Sequence, residues 1–213
     1  MARSDLSSTA STCPFDRPAT LKRLRSGDTE VFTQLVAHYH RPLLTVARSI
    51  IGDSLADEVV QEGWLSAYKA LPRFEGRSAV KTWLFTIVSN QAKTRLRKES
   101  RTQSLDELEE SGSGFNGEFK NNGHWQNGPA RWHLESPDQL LQQAQLQKCI
   151  DHTLEVLPPL QKAVFTLRDI EQESLNAICN ILDVSDSNVR VLLHRARLKL
   201  MQVIEHYQET GEC

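Results

Sequence analysis

Between Leu175 and Lys199 the chain leaves itself few choices of structure. Leu175, Ile178, Cys179 and Leu182 recur at i, i+3, i+4 and i+7, which is one apolar helical stripe. The pattern breaks at Asp183-Val184, and a second stripe follows with Val189, Leu192, Leu193, Ala196 and Leu200. Two helices joined by a tight turn bury both stripes together. Ser185 is placed to cap the second helix by accepting a backbone N–H. The turn has no glycine, but aspartate tolerates a left-handed conformation better than most residues, so Asp183 can turn the chain. Opposite the second stripe lie Ser187, Arg190, Val191 and His194, with Arg195 and Arg197 on the flanks. A helix that buries one face and offers arginine and small polar groups on the other suits a DNA major groove. The segment reads as a helix-turn-helix, with a plain helical hairpin as the alternative.

The net charge is −2, so no global cationic field holds nucleic acid, and any DNA affinity must come from local clusters. Two exist. Lys93 to Arg101 holds five Lys/Arg and one acid, Glu99; Arg190 to Lys199 holds four Lys/Arg, one histidine and no acid. The alternative for each is a solvated helix face. No apolar run approaches the ~18 residues of a membrane span, so membrane insertion is not expected. The Ser/Thr-rich stretch from Met1 to Phe15 lacks the apolar core of a secretory signal. Cys13, Cys149, Cys179 and Cys213 form no CxxC pair, and Cys179 lies on an apolar stripe, a usage that fits a reducing cytoplasm. The tail thiols Cys13 and Cys213 are the candidates for redox chemistry. Cys149 and His152 sit at i, i+3, but two ligands do not make a metal site, and neither metal nor other cofactor is expected.

With 213 residues the chain fits one large or two small domains, and its patterning divides it. Residues 1–17 read as a disordered tail and 18–101 as a helical domain. In that domain Asp28 caps a helix marked by Val31, Phe32, Leu35, Val36 and Tyr39. Pro42 opens the next, which runs through Leu43, Leu44, Val46, Ala47 and Ile50 to Gly52. Ser54 to Asp57 has capping-box form ahead of a third helix that buries Val60, Trp64, Ala67 and Leu71. Gly63 inside that helix costs about 1 kcal/mol relative to alanine. After the loop Arg73–Arg77, Ser78 starts a long fourth helix. Residues 102–137 hold five of the ten glycines and six acids, which predicts a flexible acidic linker. Trp125 and Trp132 within it are either incidental or, as aromatic residues in a linker more often do, dock on this chain or on a partner. From 138 to 210 helices resume. Leu140, Leu141, Ala144, Leu146 and Ile150 mark one, and Leu160, Ala163, Val164 and Leu167 another after Pro158-Pro159, ahead of the helix-turn-helix. Nothing alternates as a strand would. The fold class is therefore all-α, two small helical domains joined by a flexible linker.

The fourth helix carries an apolar stripe of Val80, Leu84, Ile87 and Gln91 beside a second line of Trp83, Thr86, Asn90, Lys93 and Arg97. An aromatic can support a base, Asn can read a base edge, and Lys and Arg can track phosphates, so this line suits single-stranded DNA. Trp83 alone could equally be core.

Here the residues meet a family. Asp57-Glu58-Val59-Val60-Gln61-Glu62, Phe74 to Ser78, Thr82-Trp83-Leu84 and Asn90 resemble the second region of bacterial sigma factors, closest to the extracytoplasmic-function (ECF) group. Leu157-Pro158-Pro159-Leu160-Gln161, Thr166-Leu167-Arg168, Val189-Arg190 and Leu193 to Arg197 resemble the fourth region. The resemblance spans about residues 20–101 and 140–205. It implies that Asp57, Val60, Gln61, Glu62 and Leu65 dock on the clamp of the largest subunit of core RNA polymerase. Phe74, the loop to Ser78, Trp83 and Asn90 would then melt the minus-ten element and hold its flipped bases, and Lys93 and Arg97 of the same helix line are the residues read above as tracking its phosphates. Arg168, Arg190, Val191, His194 and Arg195 would touch the minus-thirty-five element as duplex, with Ser187 beside them on the open face of the helix-turn-helix. An anti-sigma factor is the expected further partner. The rival is a helix-turn-helix regulator with an N-terminal sensory or dimerisation domain, which leaves the Trp83–Arg97 line without a role. No nucleophile–base set, phosphate loop or metal cluster points to an enzyme.

Overall fold

The computed structural model describes residues 13–100 and 137–213, and among these there are eight α-helices and no strand. The first group is α1 (Pro18–Arg25), α2 (Thr29–Ile51), α3 (Asp53–Ala70) and α4 (Val80–Ser100). The second is α5 (Pro137–Val156), α6 (Pro159–Phe165), α7 (Leu175–Leu182) and α8 (Asp186–Thr210). The expected linker and its two tryptophans lie outside the described residues.

Several helix ends follow the sequence signals and several do not. The Asp28 carboxylate caps α2 by accepting from the N–H groups of Glu30 and Val31 at 3.1 and 3.2 Å. The Arg23 guanidinium bonded to it, with those N–H groups, holds this carboxyl below the usual range. The expected break at Pro42 is absent, and α2 runs straight through it. A proline inside a helix costs roughly 3 kcal/mol. Against that, Tyr39, Leu43, Val46, Ala47 and Ile50 form one buried face only if the helix continues. Burying each large apolar side chain is worth about 1.5–3 kcal/mol, so packing wins. The capping box at Ser54–Asp57 does not form either. Gly52, at φ 81°, separates α2 from α3 without a side-chain cap, which leaves Asp57 exposed.

The stretch expected as tail is ordered from Cys13 onward. Pro14–Asp16 make a 3-10 turn, and Phe15 is buried with its ring 5.5 Å from His38 and 5.7 Å from Tyr39. Asp16 Oδ1 accepts from the Val80 N–H at 2.8 Å, so a carboxylate 64 residues upstream satisfies the first turn of α4. That helix accordingly starts at Val80 rather than Ser78.

Helix α4 is buried more broadly than one stripe. Val80, Leu84, Phe85, Val88, Ser89 and Ala92 are all inaccessible, packed between α2 and α3 on one side and α7 on the other. One continuous core therefore joins the two groups. The approach of α3 to α4 explains Gly63: a Cβ there would lie 2.7 Å from Val88 Cγ2.

In the second group a π-helical turn, Thr166–Ile170, follows α6, and Gln172 takes φ 58°. Ser174 then caps α7 through the Ala177 N–H. Asp183 adopts φ 58°, ψ 51°, the left-handed turn read from the sequence, and Ser185 caps α8 through the Asn188 N–H at 3.3 Å.

Gly63→Ala gains about 1 kcal/mol of helix propensity but overpacks against a stiff buried valine, at a cost of roughly 1–3 kcal/mol. The expected result in urea unfolding is net destabilisation, and a smaller added cost of Val88→Ala in the Gly63→Ala background than in wild type. Additive effects would mean that the two side chains do not compete for this space.

Candidate polymerase and promoter surfaces

Helix α3 presents a mixed face to solvent. Asp57, Gln61, Glu62 and Leu65 are exposed, Leu65 at 62%. Val60 is not among them. It is fully buried, and with Trp64 it fills the inward side of the helix, so a direct docking role for it does not hold. Tyr68 extends the exposed face instead, 45% accessible and edge-on to Phe32 at 5.0 Å. Sequence reasoning missed it, although the spacing Gln61, Leu65, Tyr68 is that of one helical face.

The stripe on α4 divides into three environments. Trp83 is half-buried with its ring 4.7 Å from Phe74, and Phe74 is itself buried, so the loop's aromatic braces Trp83 rather than standing open. Ser78 is exposed. Asn90 and Arg97 are exposed, and Asn90 lines a groove of about 480 Å³ with Glu62, Ile87, Gln91, Thr94, Arg95 and Lys98. One expected docking residue, Glu62, and one expected base-reading residue, Asn90, thus line the same groove between α3 and α4. Its walls are tied by Arg95 to Glu58 at 3.1 Å and by Gln91 to Ser66 at 2.8 Å. Thr86 and Lys93 are half-buried, and Lys93 reaches the end of α7 through the Leu182 carbonyl.

On α8, Ser187, Arg190 and Val191 are exposed and form one outward face with His194 and Arg195, which are partly buried. Arg190 pairs with Asp186 one turn earlier at 2.8 Å. Arg168 is half-buried and donates to the Glu173 carbonyl at 2.8 Å, so here it braces the turn before α7. Arg197, read as flanking the DNA face, points inward: it is 4% exposed and pairs with Asp169.

Contacts between the two groups cover part of the stripe. Lys81 lies 3.2 Å from the Glu171 carboxylate and 3.4 Å from that of Glu173, and donates to the Glu171 carbonyl. Thr82 hydrogen-bonds Glu173 at 3.3 Å. Lys93 Nζ donates to the Leu182 carbonyl at 3.0 Å, and burial pulls its pKa down despite the opposing pull of Asp183. The sequence carried no signal for this pairing, because Lys81 and its acids are about 90 residues apart.

Comparison with known proteins agrees with this layout. Residues 35–102 match the family Sigma-70 region 2, and residues 147–200 match Sigma-70, region 4. A probable RNA polymerase sigma factor of Haemophilus influenzae is 31% identical over 163 residues, covering 76% of this chain and 84% of the relative. The ECF RNA polymerase sigma-E factor of Escherichia coli K12 is 28% identical over 180 residues, 83% and 88% of the two chains. The chain belongs to the ECF sigma factors. Two solved structures share the fold of this sigma factor. CnrH in complex with the cytosolic domain of CnrY has a TM-score of 0.54 at 23% identity, covering 87% of this chain and 95% of that one. RpoE in complex with the anti-sigma factor NepR from Bartonella quintana has a TM-score of 0.54 at 20% identity, over 82% and 96%.

The charges between the two regions of this sigma factor predict how it opens. Glu171→Lys with Glu173→Lys sets like charges against Lys81 and should raise the radius of gyration measured by small-angle scattering. Adding Lys81→Glu should restore much of the compactness. An unchanged radius in the double variant would mean that the apolar contacts alone hold the regions together.

Proposed function

We propose that this sigma factor docks on the clamp of core RNA polymerase through Asp57, Gln61, Glu62 and Leu65, with Tyr68 at the margin. On that platform it opens the minus-ten element along Trp83, Asn90, Lys93 and Arg97, with Phe74 and Ser78 framing the loop above. Ser187, Arg190, Val191, His194 and Arg195 read the minus-thirty-five duplex, and Arg168 joins them once its brace to Glu173 is released. Residues 18–101 and 138–210 act as two working units, with 102–137 as the connection that lets them part. The protein works in the cytoplasm and has no catalytic activity of its own. An anti-sigma factor would keep the two units together.

The observation that carries this reading is the shared groove, in which Glu62 on α3 stands beside Asn90 on α4. A strand-reading residue then sits at a fixed offset from the polymerase surface. The closed arrangement adds a requirement. Lys81, Thr82 and Lys93 hold groups of the fourth region along one edge of the stripe, so the regions must separate before a strand can lie there. A net charge of −2 gives weak duplex binding by the chain alone. Polymerase supplies the remedy by holding both units on one DNA, which makes the second contact intramolecular.

Two measurements test the assignment. Glu62→Lys should weaken binding to core polymerase at least several-fold while leaving thermal stability nearly unchanged, since exposed substitutions usually stay within ~0.5 kcal/mol. Equal affinity would remove this face from the docking surface. Asn90→Ala should still form holoenzyme but alter base preference in the minus-ten element, because a base drawn out of the stack needs hydrogen bonds to its edge. Permanganate probing of unpaired thymines reads the opening. An identical preference, or a wild-type complex that leaves its promoter paired, would end the melting role of this helix.

A further inference from the structure

Two cysteines far apart in sequence meet where α5 packs on α8. Cys149 of α5 is disulfide-bonded to Cys213, 64 residues later, with their Cα atoms 5.3 Å apart. Helix α5 packs on α8 through a small cluster separate from the main core: Leu146, Cys149 and Tyr207 are buried, with Ile150, Val203 and Ile204 around them. A hydrogen bond from the Tyr207 hydroxyl to Gln145 at 3.1 Å adds to this seam. Gly211, at φ 74°, ends α8 in a left-handed turn, and Glu212 donates its N–H to Thr210 Oγ1, which folds the chain back so that Cys213 reaches α5. The other two cysteines are unbonded to any sulfur. Cys13, expected as a tail thiol, instead lies within hydrogen-bond distance of the Tyr39 hydroxyl at 2.9 Å.

We propose that Cys149 and Cys213 form a reversible thiol–disulfide site whose oxidised state latches α5 onto α8 and whose reduced state lets α5 detach. Disulfides of cytoplasmic proteins are usually transient, so a bond across the seam of α5 and α8 is placed to act as a latch. The two sulfurs have different access. Cys149 is 1% exposed, whereas Cys213 is exposed, so Cys213 is the sulfur that an incoming thiolate attacks.

The chemistry balances with a protein dithiol of the thioredoxin class as reductant. Its thiolate bonds to Cys213 Sγ, and the electron pair of the broken S–S bond leaves on Cys149 Sγ, which takes a proton. The second reductant thiol then displaces Cys213 as thiolate, and the reductant departs as its own disulfide with two electrons transferred. Hydrogen peroxide reverses the state. The Cys213 thiolate attacks one peroxide oxygen, giving a sulfenic acid and hydroxide that is protonated to water. Cys149 as thiolate then attacks the Cys213 sulfur, the S–O bond breaks, and a second water forms. Cys149 must become accessible for that step, which the detached α5 provides.

The latch rests on the cytoplasmic location proposed above, but its test needs neither polymerase nor promoter and can fail or succeed separately from the docking and melting roles. Full-length protein treated with peroxide, blocked with N-ethylmaleimide and digested should yield a Cys149–Cys213 linked peptide that dithiothreitol splits. Hydrogen exchange of amides in residues 145–156 should quicken roughly 30-fold or more on reduction, given the stabilisation a long disulfide loop supplies, while α2–α4 stay unchanged. Cys213→Ser, at an exposed position, should exchange like the reduced protein and ignore dithiothreitol, and Cys179→Ser should respond like wild type. Absence of the linked peptide after peroxide, or equal exchange of α5 in both states, would overturn the proposal.

Discussion

Everything in this molecule leans on α4, a helix that keeps only a narrow exposed margin. One side fills the space between α2 and α3, and another receives α7, so the same side chains close the cores of both halves. The stripe that would meet a DNA strand is what the two packed sides leave over. Its residues are thus held by rigid neighbours, at the cost that one edge of the stripe doubles as the seam between the regions. The fit is close enough that α3 approaches through a glycine, Gly63 against Val88.

The seam is chemically suited to yield. Glu171 and Glu173 offer carboxylates to Lys81 where a strand would offer phosphates, and the Leu182 carbonyl does the same for Lys93. Both kinds of partner are anionic or electron-rich, so exchanging one for the other leaves no cation stranded in a dry site. That matters because an unpaired buried charge costs several kcal/mol, roughly 3–5 when one partner of a buried pair is removed. The turn that presents these acids departs from ordinary helix: a π-turn from Thr166 to Ile170 is followed by Gln172 in a left-handed conformation. Irregular backbone of this kind tends to gather where function needs a particular aim.

How much of this could be read from the sequence depended on whether the signal was local. The helix-turn-helix was legible to its capping serine and its left-handed aspartate, since both act within four residues. The exposed Gln61 and Glu62 follow from the inward partners Val60 and Trp64, whereas Leu65 came only from the resemblance, and a docking role for Val60 contradicts that same reasoning. Pro42 locally fits the first turn of a new helix, and only the long buried face from Tyr39 to Ile50 shows that α2 continues through it. Asp16 on Val80, Lys81 on Glu171 and Glu173, Arg197 on Asp169 and Cys149 on Cys213 were invisible, as each joins residues 28 to 92 positions apart. In α4 the buried width was underestimated because a helix packed on two sides has no single apolar stripe to find.

The same separation in sequence has a consequence in time. Region 2 closes on itself early: Asp16 is already made when Val80 leaves the ribosome, so α4 can be capped and packed on α2 and α3 at once. Glu171 follows Lys81 by 90 residues. At a synthesis rate of about 5–20 residues per second this is on the order of five to twenty seconds. Throughout that interval Lys81 and Lys93 are present in the nascent chain with no fourth region to cover them. A newly made copy thus passes through an open form before it first closes.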